Sequence, residues 1–508
     1  MSDERLPAEH PEQGLVFDPR ASSPLLRRGV LRLAQPPQTS LNDVLVAAPM
    51  VLWSTPASSW QVDRHRGVVY VLTKDSLSAI ASSTGQVRWR IESRPEDREI
   101  WTSEGSGSRT LGVTGGIVLF VRRPDEDQAT EVDLCAVDAT TGRPRWTKRV
   151  SAEWDQRTCL GDTIFVTRSD YLGGRLVALD AATGHERFRF DLATDPSGFP
   201  LIDLLGQVDI GPGVVYTSVG ESPEVLSAID TSSAAIRWRL RPRPRSVWPR
   251  VHEGVVNASH PDSDLFGFRP DPGTSAVVSL DATSGRERWR VLLDDFVCEG
   301  VFPAATGSGL YVTARRRDAN GRYAGRLFSL DAATGRERWR VSGQPFCAVS
   351  ARGELVYALD DALRAFDAAS GTELWRFGHD ACSSTGSNEA PTVVGGIVYH
   401  GTGLFDGYLV ALDARTGTER WRFERMGDHA LLDCVAIADG VAYVGGERAL
   451  HALHAATGRE LWRLEVPEEI TVVDVVDGVV YANSGSREPL DWGEPAAVLY
   501  AVRHNLPM

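Results

Sequence analysis

The sequence predicts an all-β protein, a single large β-propeller of four-stranded antiparallel blades, and two recurring elements that run almost end to end predict it. The first is an eleven-residue phrase, cleanest as Ala411-Leu-Asp-Ala-Arg-Thr-Gly-Thr-Glu-Arg-Trp421. It returns nine times and closes at Trp89, Trp146, Phe188, Trp238, Trp289, Trp339, Trp375, Trp421 and Trp462. Successive copies lie 57, 42, 50, 51, 50, 36, 46 and 41 positions apart, a period of stacked supersecondary units. The second is a β-branched and aromatic run after a glycine, as in Gly67-Val-Val-Tyr-Val71, Gly213-Val-Val-Tyr216, Gly396-Ile-Val-Tyr399 and Gly478-Val-Val-Tyr481.

Each position of the phrase has a physical reason. Glycine stands four residues before the aromatic in every copy except the one with Ala234, which fits a hairpin turn whose last residue needs a positive φ. Aspartate stands eight before it in seven copies, broken by Ala81 and His454; its carboxylate accepts amide hydrogen bonds within the turn, a structural role. Ten before it the residue is always Ala or Ser, small enough to leave room for a ring from the neighbouring unit. The Trp and Phe residues then read as docking groups between blades.

One unit is therefore an inner strand, a Gly turn, the "VVY" strand, a variable connection, the "LxALD" strand, the "ATG" turn and an outer "ERWR" strand. Ten units are counted, since Val479–Tyr481 and Leu499–Val502 begin a last unit that lacks its own Trp strand. The apolar segment Asp43–Trp53 is expected to supply that strand and close the ring, removing an open sheet edge. The alternative is a ring of eight or nine blades with an atypical terminal unit outside it. Residues 1–40 are expected to form an extension and residues 41–508 the propeller.

Composition narrows the function classes. The net charge of −14 argues against a general nucleic-acid binder, and no apolar stretch near the start is long enough for a signal-peptide core or membrane span. Six cysteines, Cys135, Cys159, Cys298, Cys347, Cys382 and Cys434, are spread without a CxxC pair, which fits free thiols in a reducing, cytoplasmic setting. Outer-strand charges such as Arg336, Glu337, Arg338 and Arg340 around Trp339 guard the edge against pairing.

The phrase A-x-D-x-x-T-G-x-x-x-W resembles the tryptophan-docking motif of the PQQ-like β-propellers, a family that includes quinoprotein alcohol dehydrogenases, BamB-like assembly proteins and sensor-like propellers attached to some bacterial kinases. The resemblance covers roughly Asp43 to Val502 and implies the fold; on function it is nearly silent. The dehydrogenase branch implies a vicinal cysteine pair beside its quinone and a calcium site. No two cysteines here are closer than Cys135 and Cys159, so no cofactor is expected.

Candidate chemistry is local. His260, Asp262 and Asp264 offer three ligands for a divalent cation but read equally as a solvated hairpin. His379, Asp380, Cys382, His400, Asp428 and His429 carry the groups of nucleophilic or metal chemistry at a spacing that matches no motif. Cys347 and Cys434 each stand six residues before a turn glycine and share an inner-strand position, where they line the channel or pack inertly. Arg237, Arg239, Arg241, Arg243, Arg245, Trp248 and Arg250, interleaved with prolines, form a basic extended segment suited to an acidic partner or to solvent. Longer connections at Glu92–Ser108, Arg122–Glu131, Asp191–Leu204, His260–Gly273, Arg315–Gly325 and Phe377–Pro391 are where binding surfaces form on a rigid ring.

The expected function is a non-enzymatic propeller that binds a protein or small ligand through a loop-rich face and channel mouth. The alternatives are an enzyme with a site on the axis and a structural component of a larger assembly.

Overall fold

The computed structural model describes residues 49–57, 59–73, 75–92, 97–100, 112–124, 131–151, 156–160, 162–170, 173–191, 206–211, 214–219, 225–230, 235–240, 248–252, 255–259, 276–304, 308–317, 321–378, 390–402, 408–424, 435–446, 448–485 and 497–503. Every element among them is a β-strand, and the strands form ten antiparallel sheets, nine of four strands and one of five. In chain order the sheets span residues 59–92 (I), 97–151 (II), 156–191 (III), 206–240 (IV), 248–292 (V), 297–343 (VI), 348–378 (VII), 392–423 (VIII), 435–465 (IX) and 470–503 (X). The fold is that of a β-propeller. Sheet II departs from the four-strand expectation: Asp97–Ile100 and Gly112–Thr114 both pair with Ile117–Pro124.

Sheet X takes its fourth strand from the other end of the chain. Met50–Pro56 pairs antiparallel with Val498–Arg503, from Met50↔Arg503 to Pro56↔Val498. Residues 1–48, including the Asp43–Ala48 part of the segment read as a closing strand, lie outside the described residues.

The phrase dictates the register of the third and fourth strands. In sheet VII Ala365 faces Trp375 and Phe366 faces Glu373, with a register shift between them, and sheets I, III, V, VI, VIII and IX shift at the same place. The small residue ten positions before the Trp therefore sits opposite its own sheet's indole, which corrects the expectation that it receives a neighbour's ring. The turn glycine does that instead. A Cβ on Gly142 would stand 2.7 Å from Trp89 Cδ2, and one on Gly371 2.6 Å from Trp339 Cδ2.

Apolar side chains on both faces of each sheet are buried. Nine clusters each span two neighbouring sheets, joining IV through X in order, X to I, and I through III. The core is thus a chain of shared seams, as stacking of repeat units requires.

Candidate functional site

The seams are built from the residues that recur. In sheet I the Trp89 indole N–H donates to the Ala139 carbonyl of sheet II at 3.1 Å, and the Tyr70 hydroxyl donates to the same oxygen at 3.0 Å. The pattern repeats with Tyr216 and Trp238 on Ala282, Tyr357 and Trp375 on Ala414, and Tyr399 and Trp421 on Ala455. Trp146, Trp289 and Trp339 donate to Ala181, Ala332 and Ala368. The carbonyls of Ala139, Ala282, Ala414 and Ala455 belong to buried residues, and at these four a tyrosine and a tryptophan donor meet both lone pairs. Burial pushes the Tyr70 and Tyr357 hydroxyls up to about 12, so they remain donors. Phe188 and Trp462 are also buried, Phe188 at 6.3 Å from Phe165 and Trp462 at 6.0 Å from Tyr443. Sequence reasoning missed the tyrosines, although they recur in the "VVY" run. It also missed Trp53, whose indole donates to Ser82 O at 3.0 Å.

Strand direction divides the ring into two faces. Connections from first to second and third to fourth strand lie at one end of each sheet; those from second to third, and from fourth strand to the next sheet, lie at the other. The first face carries the short Gly and "ATG" turns. There the turn aspartate accepts from its own loop, as with Thr141 N–H to Asp138 at 2.9 Å, and pairs with the arginine seven positions on at 2.5 to 2.8 Å in six sheets. The arginine hydrogen bond holds Asp138, Asp180, Asp331 and Asp413 down to about 2. These carboxylates are structural, and as exposed pairs they contribute little individually.

The second face collects the remaining connections. Its described residues include a buried ionic network in sheet VII. Asp360 and Arg364, 1% and 5% exposed, pair at 3.0 Å. Arg364 also donates to Glu373 and, at 3.3 Å, to the Ser342 carbonyl of sheet VI. The carboxylate lies against backbone: a Cβ on Gly343 would stand 2.3 Å from Asp360 Oδ2. Burial pushes the Asp360 carboxyl up to about 6, the neighbouring Asp361 adding to the rise and Arg364 opposing it.

On the same face the connection Arg315–Gly325 is an extended hairpin, which corrects its reading as a loop. Gly309–Arg317 and Tyr323–Asp331 pair from Gly309↔Asp331 out to Arg317↔Tyr323. Arg315 and Arg317 stand 5.1 and 5.6 Å from the Tyr323 ring centroid, and Arg326 lies 4.0 Å over Phe296.

The remaining candidates scatter. His400 is buried on the second strand of sheet VIII. His260, Asp262, Asp264, His379, Asp380, Cys382, Asp428, His429 and Cys434 lie outside the described residues, as do Arg241, Arg243 and Arg245. Trp248 and Arg250, read as part of an extended connection, belong to the first strand of sheet V, opposite Ser259 and Asn257. Arg237 pairs with Asp230. Cys347 is partly buried, donates its thiol to the Leu359 carbonyl at 3.4 Å and packs against the core shared by sheets VII and VIII. Among the described residues no group of three His, Cys, Asp or Glu side chains is placed to hold a metal ion. An open cleft of about 520 Å³ lies at the rim between sheets II and III, lined by Trp146, Lys148, His185 and Glu186.

Comparison with known proteins agrees with this architecture. The family described as outer membrane protein assembly factor BamB matches residues 73–202, 273–424 and 405–490. The serine/threonine-protein kinase AfsK of Streptomyces griseus is 28% identical over 192 residues, 34% of this chain and 21% of the kinase. The chain thus spans about a fifth of that relative's length. Among solved structures, BamB from Moraxella catarrhalis is 14% identical, covering 90% of this chain and 99% of its own, with a TM-score of 0.38. Quinohemoprotein alcohol dehydrogenase from Comamonas testosteroni is also 14% identical, covering 91% and 78%, with a TM-score of 0.41. With the family's match extending over most of the described sheets, the chain belongs to the BamB-like family of PQQ-type β-propellers.

Proposed function

We propose that the chain is a non-enzymatic scaffold that binds a protein partner through the face bearing its longer connections. One observation carries the reading: the short turns are tied down by aspartate on one face, while connections of more than minimal length open on the other. Loops held by a rigid ring are where recognition surfaces form. The Arg317–Tyr323 end of the hairpin and the basic connection Arg241–Arg245, with Trp248 and Arg250 following, would contribute there, arginine and aromatic residues being enriched at binding hot spots. Cys347 and Cys434 remain candidates for the inner-strand end of the same surface.

The test is a photo-crosslinking amino acid placed at Asp361, on the connection-bearing face, or at Ala333, in the turn of sheet VI on the opposite face, in the source cells. A discrete protein adduct from Asp361 and none from Ala333 is expected. Adducts from Ala333 alone would overturn the assignment of the face, and adducts from neither would overturn the scaffold reading. We also place the chain in a reducing, cytoplasmic compartment, on the strength of six cysteines spread along the sequence without a CxxC or adjacent pair. Cell fractionation that recovers it outside the cytoplasm would refute this.

A further inference from the structure

Every outer strand of a propeller blade is an open sheet edge, and an edge needs charge to resist pairing with another strand. Nine of the ten outer strands obey this. Val87–Glu92, Pro144–Ser151, Glu186–Asp191, Ile236–Leu240, Glu287–Leu292, Glu337–Gly343, Glu373–Gly378, Glu419–Phe423 and Glu460–Glu465 each carry at least one arginine. The tenth, Met50–Pro56, reads Met-Val-Leu-Trp-Ser-Thr-Pro and carries no charge. Met50 is 43% and Val51 41% exposed at the end of this strand nearest the turns. On the neighbouring sheet Val87, 50% exposed, stands where six other sheets have the glutamate of "ERWR" or "ELWR" or "ERFR". Trp53 seated on Gly85 joins the two strands at this point. At the seam where the chain closes on itself the outer strand of sheet X is therefore uncharged, and beside it on sheet I the exposed Val87 stands in place of a glutamate, with Arg88 and Arg90 following it on that strand.

Residues 1–48, which lie outside the described residues, lead through Pro49 into Met50 beside this seam. Within them Leu25-Leu-Arg-Arg-Gly-Val-Leu-Arg-Leu33 combines five aliphatic residues with three arginines. The sixteen residues from Ala34 to Pro49 can span up to about 50 Å, ample to fold this segment back along the edge. We infer that Leu25–Leu33 adds to Met50–Pro56 as a fifth strand of sheet X. Its leucines and valine cover Met50, Val51 and Val87, and its arginines restore at the new edge the charge that the other outer strands carry. Attachment through a short linker makes the pairing intramolecular and so favoured over an intermolecular one.

The test uses the full chain with a photo-crosslinking amino acid at Val51, read by peptide mass spectrometry, together with amide exchange of Met50–Thr55 in the unmodified chain. An intramolecular link to the peptide containing Leu25–Leu33 is expected, with exchange of Met50–Thr55 slower than that of the outer strand Glu337–Gly343. Val30→Asp with Leu31→Asp, which changes no residue of the ten described sheets, is expected to abolish the link and speed that exchange by about tenfold or more. A link to a second chain, a link elsewhere in the same chain, or exchange indifferent to the double substitution would overturn the inference.

Discussion

Trp53 and Gly85 meet across the seam between the last sheet and the first: a Cβ on Gly85 would stand 2.4 Å from Trp53 Cβ, and the indole reaches on to Ser82 O at 3.0 Å. The chain's first strand thus repeats, without the phrase, the contact that a phrase tryptophan makes with a turn glycine at seven other seams.

Trp53→Ala is expected to destabilise the protein by roughly 2–4 kcal/mol, within or a little below the range for truncating a large buried aromatic, because this ring is partly exposed. Trp53→Phe keeps the ring and loses the indole donor, at about 1 kcal/mol. Urea unfolding of both variants checks the order; equal losses would mean that packing contributes nothing here.

Gly371→Ala and Gly353→Ala separate docking from backbone strain. Both glycines have positive φ, +71° and +59°, but a Cβ on Gly371 meets Trp339 whereas one on Gly353 has nothing within 4 Å. Gly353→Ala is expected to cost about 1–2 kcal/mol from conformation alone. Gly371→Ala adds overpacking of about 1–3 kcal/mol. The difference in unfolding free energy between the two variants measures the docking contact.

Tyr399→Phe is expected to cost only about 0.5–1 kcal/mol, at the low end for a lost hydrogen bond. The Ala455 carbonyl it leaves still accepts from Trp421 at 2.9 Å. Combining Tyr399→Phe with Trp421→Phe strands that carbonyl, and the pair is expected to cost more than the sum of the singles. A double-mutant cycle reads this directly.

Asp360 gives a pH dependence of definite sign. Its carboxyl lies near 6 in the fold against 3.8 for a free carboxyl, so the folded state binds the proton more tightly. That contribution is fully present below about 3.8 and is lost as pH rises through about 6. Asp360→Asn lacks it at every pH. The melting temperature of Asp360→Asn minus that of the parent is therefore expected to rise between pH 4 and pH 7. The turn aspartates, held low by arginine, lose their contribution only as pH falls toward about 2 and cancel in the difference. A flat or falling difference would show that Arg364 outweighs burial at this site.

The phrase ending at Trp421 or Trp339 was enough to read an all-β propeller of four-stranded units, because its turn glycine, its aspartate and its strand alternation are local demands of backbone geometry that no tertiary context needs to supply. The same locality limited the reading. Tyr70 and Trp89 meet on one carbonyl of the next sheet, 69 and 50 residues away, and nothing in the intervening sequence marks Ala139 as their acceptor. Arg315–Gly325 reads as a loop because it is longer than a minimal blade needs, yet cross-strand pairing runs out to Arg317↔Tyr323. Nothing in the sequence marks Asp360, whose burial follows from the packing of sheet VI against sheet VII. What the sequence determined by itself was the repeating unit, since short-range conformation and alternation are written residue by residue. What only the tertiary structure decided was which donors share an acceptor, which carboxyl is desolvated and which outer strand lacks charge where the chain closes, because each depends on groups brought together from distant parts of the chain.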